Sequence, residues 1–130
     1  MNRKPLAAET IQLMLVWFLR LLSLVYLALG LRQCLVILDV SGTGAFADIE
    51  LAAQAVIGFF AVIDLVAAVG LWLVASWGTV VWLIAALSDI VFHTYFPSLA
   101  VTPYPLIFFH MASMLAYLWL SVTLARRRIR

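Results

Sequence analysis

The chain has 130 residues, of which 67% are hydrophobic and 11% are charged, and its net charge is +2. A soluble domain usually carries about 45–50% apolar and roughly 25% charged residues, so too few polar side chains remain here to cover a water-facing surface. This composition excludes a cytosolic enzyme, a nucleic-acid module and a disordered tail, and it predicts one integral membrane domain over residues 1–130.

Four apolar runs are long enough to cross a bilayer. A helix needs about 20 mainly apolar residues for this, because each residue rises about 1.5 Å through a hydrocarbon core of about 30 Å. The predicted spans cover residues 11–38, 51–74, 79–96 and 106–124. The breaks are short and carry turn residues: the segment 41–44, the turn 76–78, and a loop with Pro97, Pro103 and Pro105. The sequence therefore predicts an all-α, four-helix transmembrane bundle with short loops.

The first span carries a charged residue, Arg20, and this residue has two interpretations. It would be the counter-ion of an acid on a later helix, because its long side chain reaches one or two turns. Alternatively, Trp17 marks the membrane interface and Arg20 extends its guanidinium to that interface. The sequence leaves both open.

The second and third spans each carry one carboxylate, Asp64 and Asp89, at equal distances from the turn near Ser76 and Trp77. Each is flanked along its helix by alanines, and small residues mark helix–helix contacts in lipid. Both side chains are therefore expected to face the bundle interior, where two close carboxylates cannot both ionise comfortably. They would be either structural, as protonated or hydrogen-bonded groups, or involved in moving protons or holding a cation.

Two histidines accompany these acids near the outer side of the bundle. His93 follows Asp89 by four residues and shares its helix face, and His110 lies at a similar depth on the fourth span. Ser113 and Tyr117 continue a polar stripe below His110. The favoured interpretation is a hydrogen-bonded network without a cofactor. The alternatives are a b-type haem between the histidines, or a metal ion held by both histidines and Asp89.

Basic residues at both chain ends predict the orientation. Arg3 and Lys4 open the chain, and four arginines lie within residues 126–130. By the positive-inside rule, both termini are expected in the cytoplasm. The five tryptophans fall in the same half of the predicted bundle, which agrees. The basic end has no interleaved aromatic residues, so a nucleic-acid partner is not expected.

The basic start, the four short-looped spans, the carboxylates Asp64 and Asp89 and the arginine-rich end together resemble the small four-span inner-membrane proteins of bacteria. Many of those proteins have no assigned function. The resemblance covers the whole chain and implies a bacterial inner-membrane location. The small four-helix multidrug exporters carry a glutamate in their first helix, whereas this first span carries Arg20, and the single Cys34 excludes four-helix thiol oxidases.

The expected function is non-catalytic. No phosphate-binding glycine loop, zinc-protease motif or nucleophile elbow is present. An accessory or assembly subunit of a membrane complex is favoured, with Arg20, Asp64 and Asp89 fixing the helix register and with lipid, other membrane subunits or a second copy as partners. The first alternative is a small proton-coupled carrier or proton-conducting oligomer, in which Asp64 and Asp89 exchange protons and the two histidines relay them. The second is a haem or metal protein using His93 and His110.

Overall fold

The computed structural model describes residues 4–99 and 105–129, and within these ranges the chain is α-helical with no strand. The elements are α1 (Lys4–Ile37), α2 (Ala45–Asp48), α3 (Leu51–Trp72), α4 (Ser76–Tyr95), a 3-10 turn (Pro97–Leu99) and α5 (Pro105–Ile129). Arg3, Pro103 and Arg130, which the sequence analysis used, lie outside the described residues.

Four of the helices are long and apolar enough to cross a membrane, namely Ala8–Ile37, Leu51–Trp72, Ser76–Tyr95 and Pro105–Arg127. They coincide with the four predicted spans, so the all-α architecture with four candidate transmembrane helices is confirmed. The first helix begins earlier than predicted, and its 34 residues correspond to about 51 Å. The polar residues near its start lower hydropathy without breaking a helix.

The turn between α3 and α4 differs from the prediction. Ser76, Trp77 and Gly78 form the first turn of α4, and the chain reverses over the residues just before them. Val74 adopts a left-handed conformation there, with φ 55°. The loop after α1 is also ordered, since the carboxylate of Asp39 accepts hydrogen bonds from two backbone N–H groups of the segment 43–44.

The bundle is built around α1. This helix packs most extensively on α3, α3 pairs with α4, and α5 lies against α1 with a smaller contact to α4. The core formed by α1, α3 and α4 consists of Leu19, Leu22, Tyr26, Ala67, Ala68, Leu71, Trp82 and Ala85. The helix α5 is the least covered: 17% of its most apolar stretch is buried, against 39% in α3.

Two glycines bring α3 and α4 into backbone contact beside their turn. A Cβ atom added to Gly70 would overlap Gly78, and one added to Gly78 would overlap the backbone of Gly70. Asp64 lies six residues before Gly70, whereas Asp89 lies eleven residues after Gly78. At 1.5 Å per residue the two carboxylates are therefore offset by about 7 Å along the hairpin, and not level as the sequence suggested. The offset allows them to meet different partners.

Candidate functional site

Three helices are joined by a buried chain of hydrogen bonds. His110 on α5 places Nε2 2.7 Å from Oδ2 of Asp89 on α4. Its other ring nitrogen, Nδ1, lies 2.9 Å from the hydroxyl of Tyr26 on α1. The exposed fractions are 1% for Tyr26 and 2% for both His110 and Asp89, so the chain is closed to the surroundings. One imidazole thus connects three of the four long helices.

His93 completes this group, which we call the polar network: Tyr26, Asp89, His93 and His110. Its Nδ1 lies 2.9 Å from the backbone carbonyl of Asp89 and 3.5 Å from Oδ1 of the same residue. Because a carbonyl oxygen only accepts, Nδ1 of His93 carries the proton and donates it. His93 therefore caps the carboxylate from within α4, on the side away from His110.

The geometry admits more than one arrangement of protons in which every bond of the chain has a donor and an acceptor. In the first, the hydroxyl of Tyr26 donates to Nδ1 of His110, and Nε2 of a neutral His110 donates to ionised Asp89. A second arrangement holds one more proton: Asp89 is protonated and donates to Nε2, while Nδ1 donates to the hydroxyl oxygen of Tyr26. The two arrangements differ by this proton and need no movement of the backbone.

Asp64 forms a separate polar pair. It is 3% exposed on α3, and its carboxylate is approached by the amide of Gln33 on α1, which is also 3% exposed. Asp64 is close enough to Tyr26 and Asp89 to interact with both electrostatically. The Oε1 atom of Gln33 has no hydrogen-bond partner among the described residues. The two carboxylates therefore have different hydrogen-bonding partners, Gln33 for Asp64 and His110 for Asp89.

Arg20 does not join the polar network, so its interpretation as the counter-ion of Asp64 is corrected. Its Nε donates to the carbonyl of Trp72 at 3.4 Å, where α3 ends. Its guanidinium lies over the rings of Trp72 and Trp17, with 5.3 and 5.9 Å to the ring centres. The carbonyls that end α3 and the faces of two indoles attract the cation, and they hold it at Trp72, about two turns along α3 from Asp64.

Ser113 and Tyr117 also lie outside the network, although the sequence placed them in a polar stripe with His110. The hydroxyl of Ser113 donates to the carbonyl of Phe109 within its own helix, at 2.6 Å. The ring of Tyr117 packs edge-on against Trp82, with 5.4 Å between centroids. Trp82 is fully buried, so it is a core residue. It does not lie at the membrane interface, where the tryptophans of this half of the bundle were expected.

The donor atoms are committed in ways that do not fit haem or metal binding. Both ring nitrogens of His110 are engaged, so ligation of an iron or other metal ion by this ring would break one of its two bonds. The two histidines face the two oxygens of one carboxylate, which occupies the position that a haem iron would need. Within residues 4–99 and 105–129 no three His, Cys, Asp or Glu side chains are placed to hold a metal ion.

The sequence reasoning missed Tyr26 and Gln33. Tyr26 stands among leucines and valines, where a tyrosine can be taken for a plain hydrophobic residue. A signal was nevertheless present, because the hydroxyl of a tyrosine at the centre of an apolar helix needs a buried partner. The same argument applies to the amide of Gln33, whose transfer into lipid without a hydrogen bond is costly.

Residues 13–128 match the sequence profile of DUF6163, a family of unknown function. The match includes all six residues of the polar network and of the Asp64–Gln33 pair. No curated protein and no solved structure matches the chain. The chain therefore belongs to the DUF6163 family.

Proposed function

We propose that this DUF6163 member is a non-catalytic accessory or assembly subunit of a complex in the bacterial inner membrane, with both termini in the cytoplasm. The observation that carries the proposal is the closed chain Tyr26–His110–Asp89. Its atoms bond to one another across helices and are 1–2% exposed, so they are not presented to a substrate. Such a chain fixes the relative positions of α1, α4 and α5.

The free surface of α5 supports lateral association. Leu115, Leu118 and Trp119 are 58–66% exposed on this helix. Membrane helices associate through close packing and polar contacts, and a rigid bundle with one weakly covered helix offers such a surface to a partner helix. A fixed bundle also presents this surface in one orientation, which is what a subunit of defined position requires.

The charge distribution supports the proposed orientation. Arg126 and Arg127 are exposed at the end of α5. Arg20 and Trp72 lie at the α3–α4 turn, where interfacial side chains are expected. By the positive-inside rule, these arginines favour the cytoplasmic side for the chain ends and for this turn.

The test is recovery of a complex from native membranes solubilised in a mild detergent. A photo-crosslinking residue replaces Leu118 on α5, and a matched variant carries it at Leu31 on α1, which is similarly exposed (58% and 50%). We expect one stoichiometric partner, crosslinked from position 118 and not from position 31. A chain that elutes as a free monomer, with lipid as its only crosslinked product, would contradict the proposal.

A second candidate, a proton-coupled carrier or proton-conducting oligomer, is favoured by one observation: His110 bonds through both ring nitrogens, to a carboxylate and to a hydroxyl. An imidazole in this position exchanges protons between its neighbours without rotating. Proteoliposomes with a pH gradient test it. Flux in the wild type that is lost in Asp89→Asn and Asp64→Asn would favour this candidate over the subunit. Absence of flux in all three removes its support.

A further inference from the structure

A second feature lies between α1 and α3, and the polar network does not use it. An apolar groove of about 330 Å³ runs between α1 and α3. Leu24 and Leu27 line it on α1, and Val69, Trp72 and Leu73 line it on α3. Ser23 on α1 also lines the groove, and its hydroxyl donates a hydrogen bond to the backbone carbonyl of Arg20.

Arg20 stands at the end of this groove. It precedes Leu24 by four residues and therefore lies on the same face of α1. Its guanidinium rests on the ring of Trp72, which is itself part of the lining. The side chain of Arg20 is partly exposed. None of the Asp and Glu side chains that the structure describes forms an ion pair with it. A cationic group thus closes one end of an apolar groove that continues toward the middle of the helices.

We infer that this is a binding site for one anionic phospholipid, with the phosphate on Arg20 and one acyl chain in the groove. A guanidinium presents its N–H donors as a planar fork that matches phosphate oxygens, and the long bond to Trp72 engages only Nε. Basic positions between membrane helices on the cytoplasmic side recognise anionic headgroups. Trp17 and Trp72 mark the headgroup level, so the groove extends from that level into the hydrocarbon region.

Charge complementarity and shape together select this occupant. A zwitterionic lipid would fill the apolar part equally well but would also bring its own cation to Arg20. A guanidinium that no described Asp or Glu pairs with, beside an apolar groove, therefore favours a headgroup with net negative charge.

The test measures lipid binding by native mass spectrometry of the purified full chain in a nonionic detergent. Phosphatidylglycerol and phosphatidylcholine with identical acyl chains are added in turn, and glycerol phosphate serves as the headgroup alone. We expect one phosphatidylglycerol to be retained preferentially. Equal retention of the two lipids would overturn the inference, and so would equally tight binding of glycerol phosphate.

Two pairs of variants locate the site. Arg20→Gln should weaken phosphatidylglycerol binding about fivefold, and Arg32→Gln, on an exposed part of the same helix, should leave it unchanged. Leu27→Trp fills the groove and should also weaken binding, whereas Leu31→Trp, one turn further along α1, should not. Equal effects within either pair overturn the inference. Should Arg20→Gln fail to fold, Arg20→Lys and the leucine pair decide it.

Discussion

The hairpin of α3 and α4 is held at its two ends by opposite means. Beside the turn, Gly70 and Gly78 bring the two backbones together without a side chain between them. Toward the other end, Asp89 bonds through its side chain to His110 on a third helix, and through His110 to Tyr26 on a fourth. The glycine end joins two helices that follow each other in the chain, whereas the polar end also joins α1, which is distant in sequence.

The two kinds of contact supply different information. Backbone contact between glycines sets how closely two helices approach, and it relies on van der Waals packing. Hydrogen bonds are directional, so the polar network also sets the rotation of α1 and α5 about their axes. Because lipid gives helices no hydrophobic reason to associate, a bundle in a membrane needs both.

The largest predicted effect breaks the glycine end. In Gly78→Ala, the new Cβ atom would overlap the backbone of Gly70, so the backbones of α3 and α4 must move apart at this contact. We expect a loss of about 2–3 kcal/mol in the free energy of unfolding, at the upper end of the usual cost of overpacking. Unfolding of the purified chain in mixed micelles with increasing denaturing detergent measures this loss.

The matched control for this substitution is Gly58→Ala on α3, because an added Cβ atom meets nothing within 4 Å there. Replacing a helical glycine by alanine then stabilises by about 0.5–1 kcal/mol, through the smaller backbone entropy of the unfolded chain. Opposite signs for the two glycines are expected. If both substitutions stabilise, the glycine contact does not hold the hairpin.

A smaller effect is predicted for the polar end. His110→Leu removes the imidazole from both Asp89 and Tyr26, and we expect a loss of about 1–2 kcal/mol, near the maximum measured for polar contacts between membrane helices. The control is Ser113→Ala, one turn further on the same helix. Ser113 bonds to its own helix, so its loss should be below about 0.5 kcal/mol. Equal losses would mean that the network does not join the helices.

The sequence predicted the spans well, because a membrane-spanning helix is recognised by an apolar composition that continues over a sufficient number of residues. Four apolar runs of sufficient length fixed the number of helices, and tertiary contacts changed only their ends. The segment 76–78 illustrates this limit: its serine and glycine are typical of a turn, but they begin α4. Gly78 is needed for its contact with Gly70 in another helix, which no local pattern reveals.

The site was predicted less completely, for a physical reason. The buried positions of Asp89, His93 and His110 follow from the high cost of exposing such groups to lipid, and the sequence pointed to all three. Their partners depend on the depth and rotation of other helices. The sequence therefore left open whether Arg20 meets a buried acid or the membrane interface, and the structure places it against tryptophans at the turn. A difference of about two turns in depth along α3 separates the buried carboxylate of Asp64 from the tryptophans that Arg20 contacts.

The smallest predicted effect tests whether the polar end acts as a unit. Tyr26→Phe removes one hydrogen bond from His110 and should cost about 0.6 kcal/mol, the average for such bonds in membrane proteins. A double-mutant cycle with Asp89→Asn then asks whether the two ends of the chain depend on each other through His110. We expect a coupling of about 0.5 kcal/mol or more, since either partner fixes the ring for the other.

The control cycle pairs Tyr26→Phe with Thr94→Ala, which loses a bond inside α4, and it should be additive. Additivity in both cycles would mean that His110 makes two independent bonds. Polar contacts would then set helix rotation one pair at a time, as the glycine contact sets distance.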